Sequence, residues 1–189
     1  MDNLLRHPVI AAVRDVKQMH KAVKSPVDII FLMTGDLLSV ERCVQEARAS
    51  DKRIFLHIDL IKGLSNDKEA VKYMAVRLKP DGIVSTKGHL LQAAKQEGLY
   101  AVHHLFLIDT HAFQQGIRNV QELKPDAVEV MPGLMTRIIT ELKGCVPCPI
   151  IAAGLVKHQE EVCDALAAGA SSVAIGDAAL WNYTPNIRP

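Results

Sequence analysis

The sequence predicts an α/β fold: a compact (β/α)8 TIM barrel with a parallel sheet and a short eighth helix. Two observations carry this. Eight strand-sized apolar runs alternate with amphipathic helical stretches along 189 residues. Polar side chains collect at the C-terminal ends of those runs, which is where such a barrel builds its site. A doubly wound open sheet is the competing architecture, and the strand count favours the barrel. Barrels of this kind typically need about 250 residues, so the loops are expected to be tight and the last helix, "AALWNY", a stub. No linker or low-complexity segment interrupts the chain, so a single domain over 1–189 is expected.

The strands are expected at 9–15 "VIAAVRD", 29–35 "IIFLMTG", 53–61 "RIFLHIDLI", 82–86 "GIVST", 100–108 "YAVHHLFLI", 127–133 "AVEVMPG", 149–155 "PIIAAGL" and 172–177 "SVAIGD". Helical stretches such as "LLSVERCVQEARAS", "NDKEAVKYMAVRLK", "LLQAAKQEG" and "KHQEEVCDALAAG" lie between them. Several end in glycine just before the next strand, as a left-handed C-cap requires. "KPDGIV" and "KPDAVEV" are similar helix-to-strand joints two units apart, an echo of an internal repeat.

Composition narrows the function. No apolar run approaches the roughly 20 residues needed to span a bilayer. The start, "MDNLLRHP", lacks the apolar core of a signal peptide, so a cytoplasmic protein with no membrane partner is expected. A net charge of +1 gives no global field for nucleic acid. An RNA contact would need a local patch such as Lys17, His20, Lys21 and Lys24, or Arg48, Lys52 and Arg53, and a solvated helix face explains either set. "CVPC" at 145–148 leads into a strand and not a helix N-terminus, and no second pair is present, so neither redox nor zinc chemistry is read there.

The polar residues at the strand ends are Arg14 and Asp15, His57 and Asp59, Lys62, Thr86 and Lys87, Asp109 and Glu129, then the glycines Gly154 and Gly176, with His104 a further candidate. Side chains alternate along a strand. Ile54, Leu56, Ile58 and Leu60 make one row toward the helices, and Phe55, His57 and Asp59 make the row that enters the barrel. Glu129 also reads as inward, so Asp59 and Glu129 are expected to face each other across the mouth with Lys62 and Lys87 nearby. His103 and His104 fall on opposite faces, and a structural role suits either alone. After the last two strands, the backbone at Gly154–Leu155 and Gly176–Asp177 is placed to offer N–H groups to a phosphate. Asp177 would repel a dianion and could instead cap the final helix. Carboxylates for hydroxyls and lysines for phosphate suit a small polyol phosphate.

"VIAAVRD", "LHIDLIKGL", "KPDGIVSTK", "HLFLIDT", "VEVMPGL", "IIAAGLV" and the terminal "LW" together resemble the glycerol-3-phosphate-responsive antiterminator family over nearly the whole chain. The resemblance implies a TIM barrel and a regulator, not an enzyme. It implies binding of glycerol-3-phosphate and action on the leader mRNA of glycerol-utilisation operons, with no cofactor, no catalytic residue and no metal. A homodimer is compatible with it. The family's loop motif falls on Asp59 to Leu64, its "EVMPG" on Glu129 to Gly133, and its phosphate turn on Ala153, Gly154 and Leu155. On that reading Arg14, Asp59, Lys87 and Glu129 hold the glycerol portion or pair with one another, and the two glycine turns hold the phosphate. Two positions depart from the family pattern. Ile175, Gly176 and Asp177 stand where a Thr-Ser turn is common, and His104 stands where arginine is common.

The alternative is a metal-dependent sugar-phosphate epimerase or isomerase on the same barrel. "HID" is similar to the His-x-Asp of pentulose-phosphate epimerases, and His57, Asp59 and His104 would be the ligand set. A barrel that keeps phosphate binding and has lost RNA binding is a third possibility.

Overall fold

The computed structural model describes residues 7–185, so the expected domain span of 1–189 and the leading "MDNLLR" extend outside the described residues. Eight parallel strands close into a barrel in sequence order: β1 (Val9–Val13), β2 (Ile29–Leu32), β3 (Arg53–His57), β4 (Gly82–Ser85), β5 (Tyr100–Phe106), β6 (Ala127–Met131), β7 (Ile150–Ala153) and β8 (Ser172–Ile175). Among the described residues seven α-helices surround it: α1 (Met19–Lys24), α2 (Leu37–Ala49), α3 (Lys68–Tyr73), α4 (Gly88–Gln96), α5 (Thr110–Leu123), α6 (Thr136–Lys143) and α7 (Gln159–Ala167). A π-helical segment, Met74–Leu78, continues α3. The eighth helix is a stub, one 3-10 turn at Ala178–Leu180. It is pinned by Trp181, which is buried and donates its indole N–H to the Ile175 carbonyl at 2.7 Å. No helix among the described residues is long and apolar enough to cross a membrane.

The core has two shells. The larger lies between strands and helices. The smaller fills the barrel with Ile10, Ile29, Phe31, Phe55, Val84, Val102, Ala127, Ile151, Ala153 and Ala174. Gly82 is a necessity of this inner packing. The Phe55 and Tyr100 rings, from the strands on either side of β4, sit 6.2 Å apart by centroid. A Cβ on Gly82 would stand 2.5 Å from both a Phe55 ring carbon and the Tyr100 carbonyl oxygen.

The foot of the barrel carries the repeat. In each KPD joint the lysine ends a helical segment with left-handed backbone, φ 53° at Lys79 and 47° at Lys124. The aspartate then bonds back to the preceding strand. Asp81 Oδ2 accepts the Ile54 N–H, and Asp126 Oδ2 accepts the Ala101 N–H. The aspartates' own N–H groups return to the Ile54 and Ala101 carbonyls. Asp28 makes a related contact one step outside the strand, its Oδ2 accepting the N–H of His7, two residues before β1. One carboxylate clamp thus ties β1 to β2, β3 to β4 and β5 to β6. At β7–β8 the corresponding residue is Ser171, whose N–H meets the Ile150 carbonyl.

Strand starts fall within one residue of expectation, and strand ends come earlier. The third strand stops at His57 and not at residue 61. Ile58–Leu60 turns as a 3-10 helix, closed by the Ile61 N–H on the Ile58 carbonyl at 3.3 Å. The strand alternation therefore fails beyond His57. Ile58 stays buried, but Leu60 is 47% exposed, and Asp59 sits in a turn and not on a strand. The cause is Asp59 itself: its carboxylate is bonded sideways to the end of β4, which bends the chain out of the ladder.

Candidate functional site

On four strands the inner row changes from apolar to polar two residues further up: Ala12 to Arg14, Phe55 to His57, Val102 to His104, and Ala127 to Glu129. The barrel therefore closes on an oily plug below and opens on polar groups above.

Glu129 is fully buried. His104 is its register partner on the adjacent strand, and His57 reaches it from β3. His57 Nε2 lies 3.1 Å from Glu129 Oε2, and His104 Nδ1 bonds the same oxygen. Burial alone would raise the Glu129 pKa, but the bonds from His104 and His57 outweigh it and bring the carboxyl down to about 2. Phe106 packs its ring edge against His104, with centroids 4.4 Å apart. His103 faces the other way, toward the helices. Its Nδ1 lies 3.3 Å from the Ser85 carbonyl, and burial lowers its pKa.

Asp59 belongs to a separate network. It accepts from Ser85 Oγ at 2.8 Å and Thr86 N–H at 3.1 Å, and pairs with Lys87 Nζ at 3.1 Å. Burial pushes its pKa up, and these three partners pull it below the ordinary carboxylate value. The expectation that Asp59 and Glu129 would meet across the mouth is corrected here: one is held by β4 and the other by two imidazoles. Lys62 is brought to the rim by its backbone, which donates to the Gly35 carbonyl at 2.9 Å, and its side chain is exposed.

On the β7–β8 side a cavity of about 450 Å³ opens at the mouth. Glu129 and Met131 contribute to its lining, together with Arg14, Gly154, Leu155, Lys157, Gly176 and Asp177. Gly154 and Leu155 have successive positive φ angles of 78° and 65°. A left-handed leucine that is 65% exposed gains little from burial, so this turn is held in shape at a cost. Gly176 has no positive φ. Arg14 packs over it, with Nε 3.5 Å from where a Cβ would be, an ordinary contact distance. Asp177 caps the final turn, accepting the Ala179 N–H at 2.9 Å.

The structure thus gathers Arg14, Glu129, Gly154, Leu155, Gly176 and Asp177 around one cavity. Asp59 and Lys87 form a pair beside β4, His104 lies in the cluster with Glu129, and Lys62 stands on the rim. Lys157 was not singled out from sequence. The signal available was a cation three residues beyond the Gly154 turn. A second cavity, of about 440 Å³ and walled by Phe113, Met135 and Ile138, has its charged groups engaged: Arg137 with Glu141, and Asp109 as the α5 cap. Of the two basic sets, Arg48, Lys52 and Arg53 are spent on the foot of the barrel, on the Lys79 carbonyl, the Ser25 carbonyl and Asp81 respectively. Lys17, His20, Lys21 and Lys24 are exposed.

Fold and site define a (β/α)8 barrel whose mouth joins backbone turns after the last two strands to two cations. Comparison with known proteins gives the finer class. The family described as glycerol-3-phosphate responsive antiterminator matches residues 9–181, and the chain belongs to that family. It is 31% identical over 184 residues, 97% of this chain and 96% of the relative, to the uncharacterized protein YgcP of Escherichia coli. Among solved structures, the glycerol uptake operon antiterminator regulatory protein of Listeria monocytogenes superposes with a TM-score of 0.89 at 31% identity. That match covers 93% of this chain and 95% of the other. An antiterminator-related protein of Thermotoga maritima gives 0.83 at 28%, over 94% and 99%. An N-acetylmannosamine-6-phosphate 2-epimerase from Clostridium perfringens shares the fold, with a TM-score of 0.72 at 15% identity.

Proposed function

We propose that the protein is a ligand-sensing antiterminator that binds glycerol-3-phosphate in the β7–β8 cavity and acts on leader mRNA. The observation that carries this is the pairing of the left-handed Gly154–Leu155 turn with Arg14 and Lys157 around one cavity. Backbone N–H groups of such a turn and two cations suit a phosphate dianion. The glycerol hydroxyls would then lie toward Glu129. Asp59 and Lys87, carried over from the family motif, act as a pair that shapes the opposite rim. A sensor needs only a difference in affinity between two states, and no catalytic base.

Calorimetric titration of the protein with glycerol-3-phosphate tests this, with inorganic phosphate and ribulose-5-phosphate as controls. Selective binding is expected. Arg14→Met and Lys157→Met are each expected to weaken it roughly ten- to a hundredfold, the worth of one charged hydrogen bond. Asp59→Asn should weaken it less, and unchanged affinity would remove Asp59 from the site. Gel-shift of leader RNA with and without ligand tests the regulatory half. Turnover of the pentulose phosphate, with or without added divalent metal, would replace this reading by the epimerase one.

A further inference from the structure

We propose that His57, His104 and Glu129 form a binding site for one divalent transition-metal ion inside the barrel. The geometry stands independently of the ligand reading above. One imidazole nitrogen from each of His57 and His104 and a Glu129 carboxylate oxygen all lie within 4.8 Å of one another. Each comes from a different strand, β3, β5 and β6, so the donors are carried by the most rigid part of the fold. The His57–Glu129 separation of 3.1 Å is close to what two donors take when each is about 2.1 Å from a shared tetrahedral or octahedral ion, whereas His104 Nδ1 lies closer to Oε2 and has to draw back to share one.

Hydrogen bonding alone explains the cluster poorly. Both imidazoles converge on Oε2, while Glu129 Oε1 is buried with no hydrogen-bond partner. A network built only of hydrogen bonds would use both oxygens, since a buried carboxylate oxygen left unpaired is costly. Two imidazole nitrogens and a carboxylate gathered this closely, with one carboxylate oxygen left over, can be shared by one ion. Nor does a nearby side-chain cation serve Glu129: Lys87 is paired with Asp59, and the rest of the Asp59 shell comes from β4. Asp59 therefore stands outside this ligand set, which differs from the His57–Asp59–His104 set of the alternative epimerase reading.

The donor chemistry limits the ion. Two imidazoles and one carboxylate suit zinc, cobalt, nickel or ferrous iron, whereas calcium and magnesium prefer all-oxygen shells. Three protein ligands leave at least one coordination position open. Glu129 also belongs to the cavity lining, so ion and cavity would share a wall. A divalent ion with one carboxylate leaves a net positive charge there, which favours an anion in the cavity. Phe106, itself 55% exposed, covers His104 and shields the cluster from solvent.

The test is titration of chelator-treated protein with Co²⁺ and with Zn²⁺, read by visible absorption for cobalt and by calorimetry for both. One equivalent is expected to bind. The His57→Gln/His104→Gln variant, with folding checked by circular dichroism, is expected to lose more than about a hundredfold in affinity, since loss of even an outer partner costs ten- to a hundredfold. Should that variant fail to fold, proton NMR of the Co²⁺-loaded unsubstituted protein serves instead. Strongly shifted N–H signals from two imidazoles are expected. Absence of stoichiometric binding, binding undiminished in a folded double variant, or Co²⁺-loaded protein without those two signals would each overturn the site.

Discussion

Glu129→Ala lowers the stability of the metal-free protein by about 2–6 kcal/mol, because it leaves two buried imidazoles without their acceptor at about 1–3 kcal/mol each. This is an expected result, read from urea denaturation with circular dichroism. The loss does not measure the worth of the cluster. It measures what two buried imidazoles lose when the group they were built around is gone. Replacing the whole cluster by apolar residues of similar volume, for example His57→Leu, His104→Phe and Glu129→Leu together, should recover much of the loss, because the desolvation of the polar groups disappears with them. A Glu129→Ala variant within about 1 kcal/mol of the parent would mean that the cluster is hydrated and relaxed, against its burial.

The second large effect is steric. Gly82→Ala places a carbon 2.5 Å from the Phe55 ring and 2.5 Å from the Tyr100 carbonyl. The ring can tilt, but the carbonyl belongs to a strand hydrogen-bonded on both sides and cannot retreat. Overpacking costs typically 1–3 kcal/mol, and the upper end, about 3 kcal/mol, is expected here. For a chain of this size that lowers the thermal midpoint by roughly 6–12 °C. Adding Phe55→Leu should return only the part due to the ring. Full recovery in the double variant would show that the backbone contact is harmless.

Much of this was legible in the sequence. Apolar runs separated by helical stretches gave all eight strands and the stub that ends the barrel. Strand ends were not legible, because the apolar letters of "HIDLI" continue past the point where Asp59 bends the chain toward β4. Parity placed His57 and Glu129 inside the barrel correctly. It could not say that they would find each other, because alternation fixes a face and says nothing of what stands across 72 positions of sequence. Hence parity sets Asp59 opposite Glu129; Lys87, expected nearby, does pair with Asp59, but the Ser85 hydroxyl that also holds it carries no such signal. The turn after the seventh strand was visible as a glycine. The left-handed leucine beside it was not, since leucine carries no signal for that conformation.

The carboxylate clamps at the foot of the barrel have a consequence for how the chain finds its shape. They lace β1 to β2, β3 to β4 and β5 to β6, each within one strand–helix–strand unit, so the lower rim closes in pairs that are local along the chain. A circular permutant, its original ends joined by a flexible linker, keeps every pair local if it is opened between α4 and β5. Opened between β3 and β4, it turns the Ile54–Asp81 clamp into the most distant contact in the molecule. The second permutant should refold more slowly than the first while the two reach similar stability, because locality governs the rate more than the endpoint.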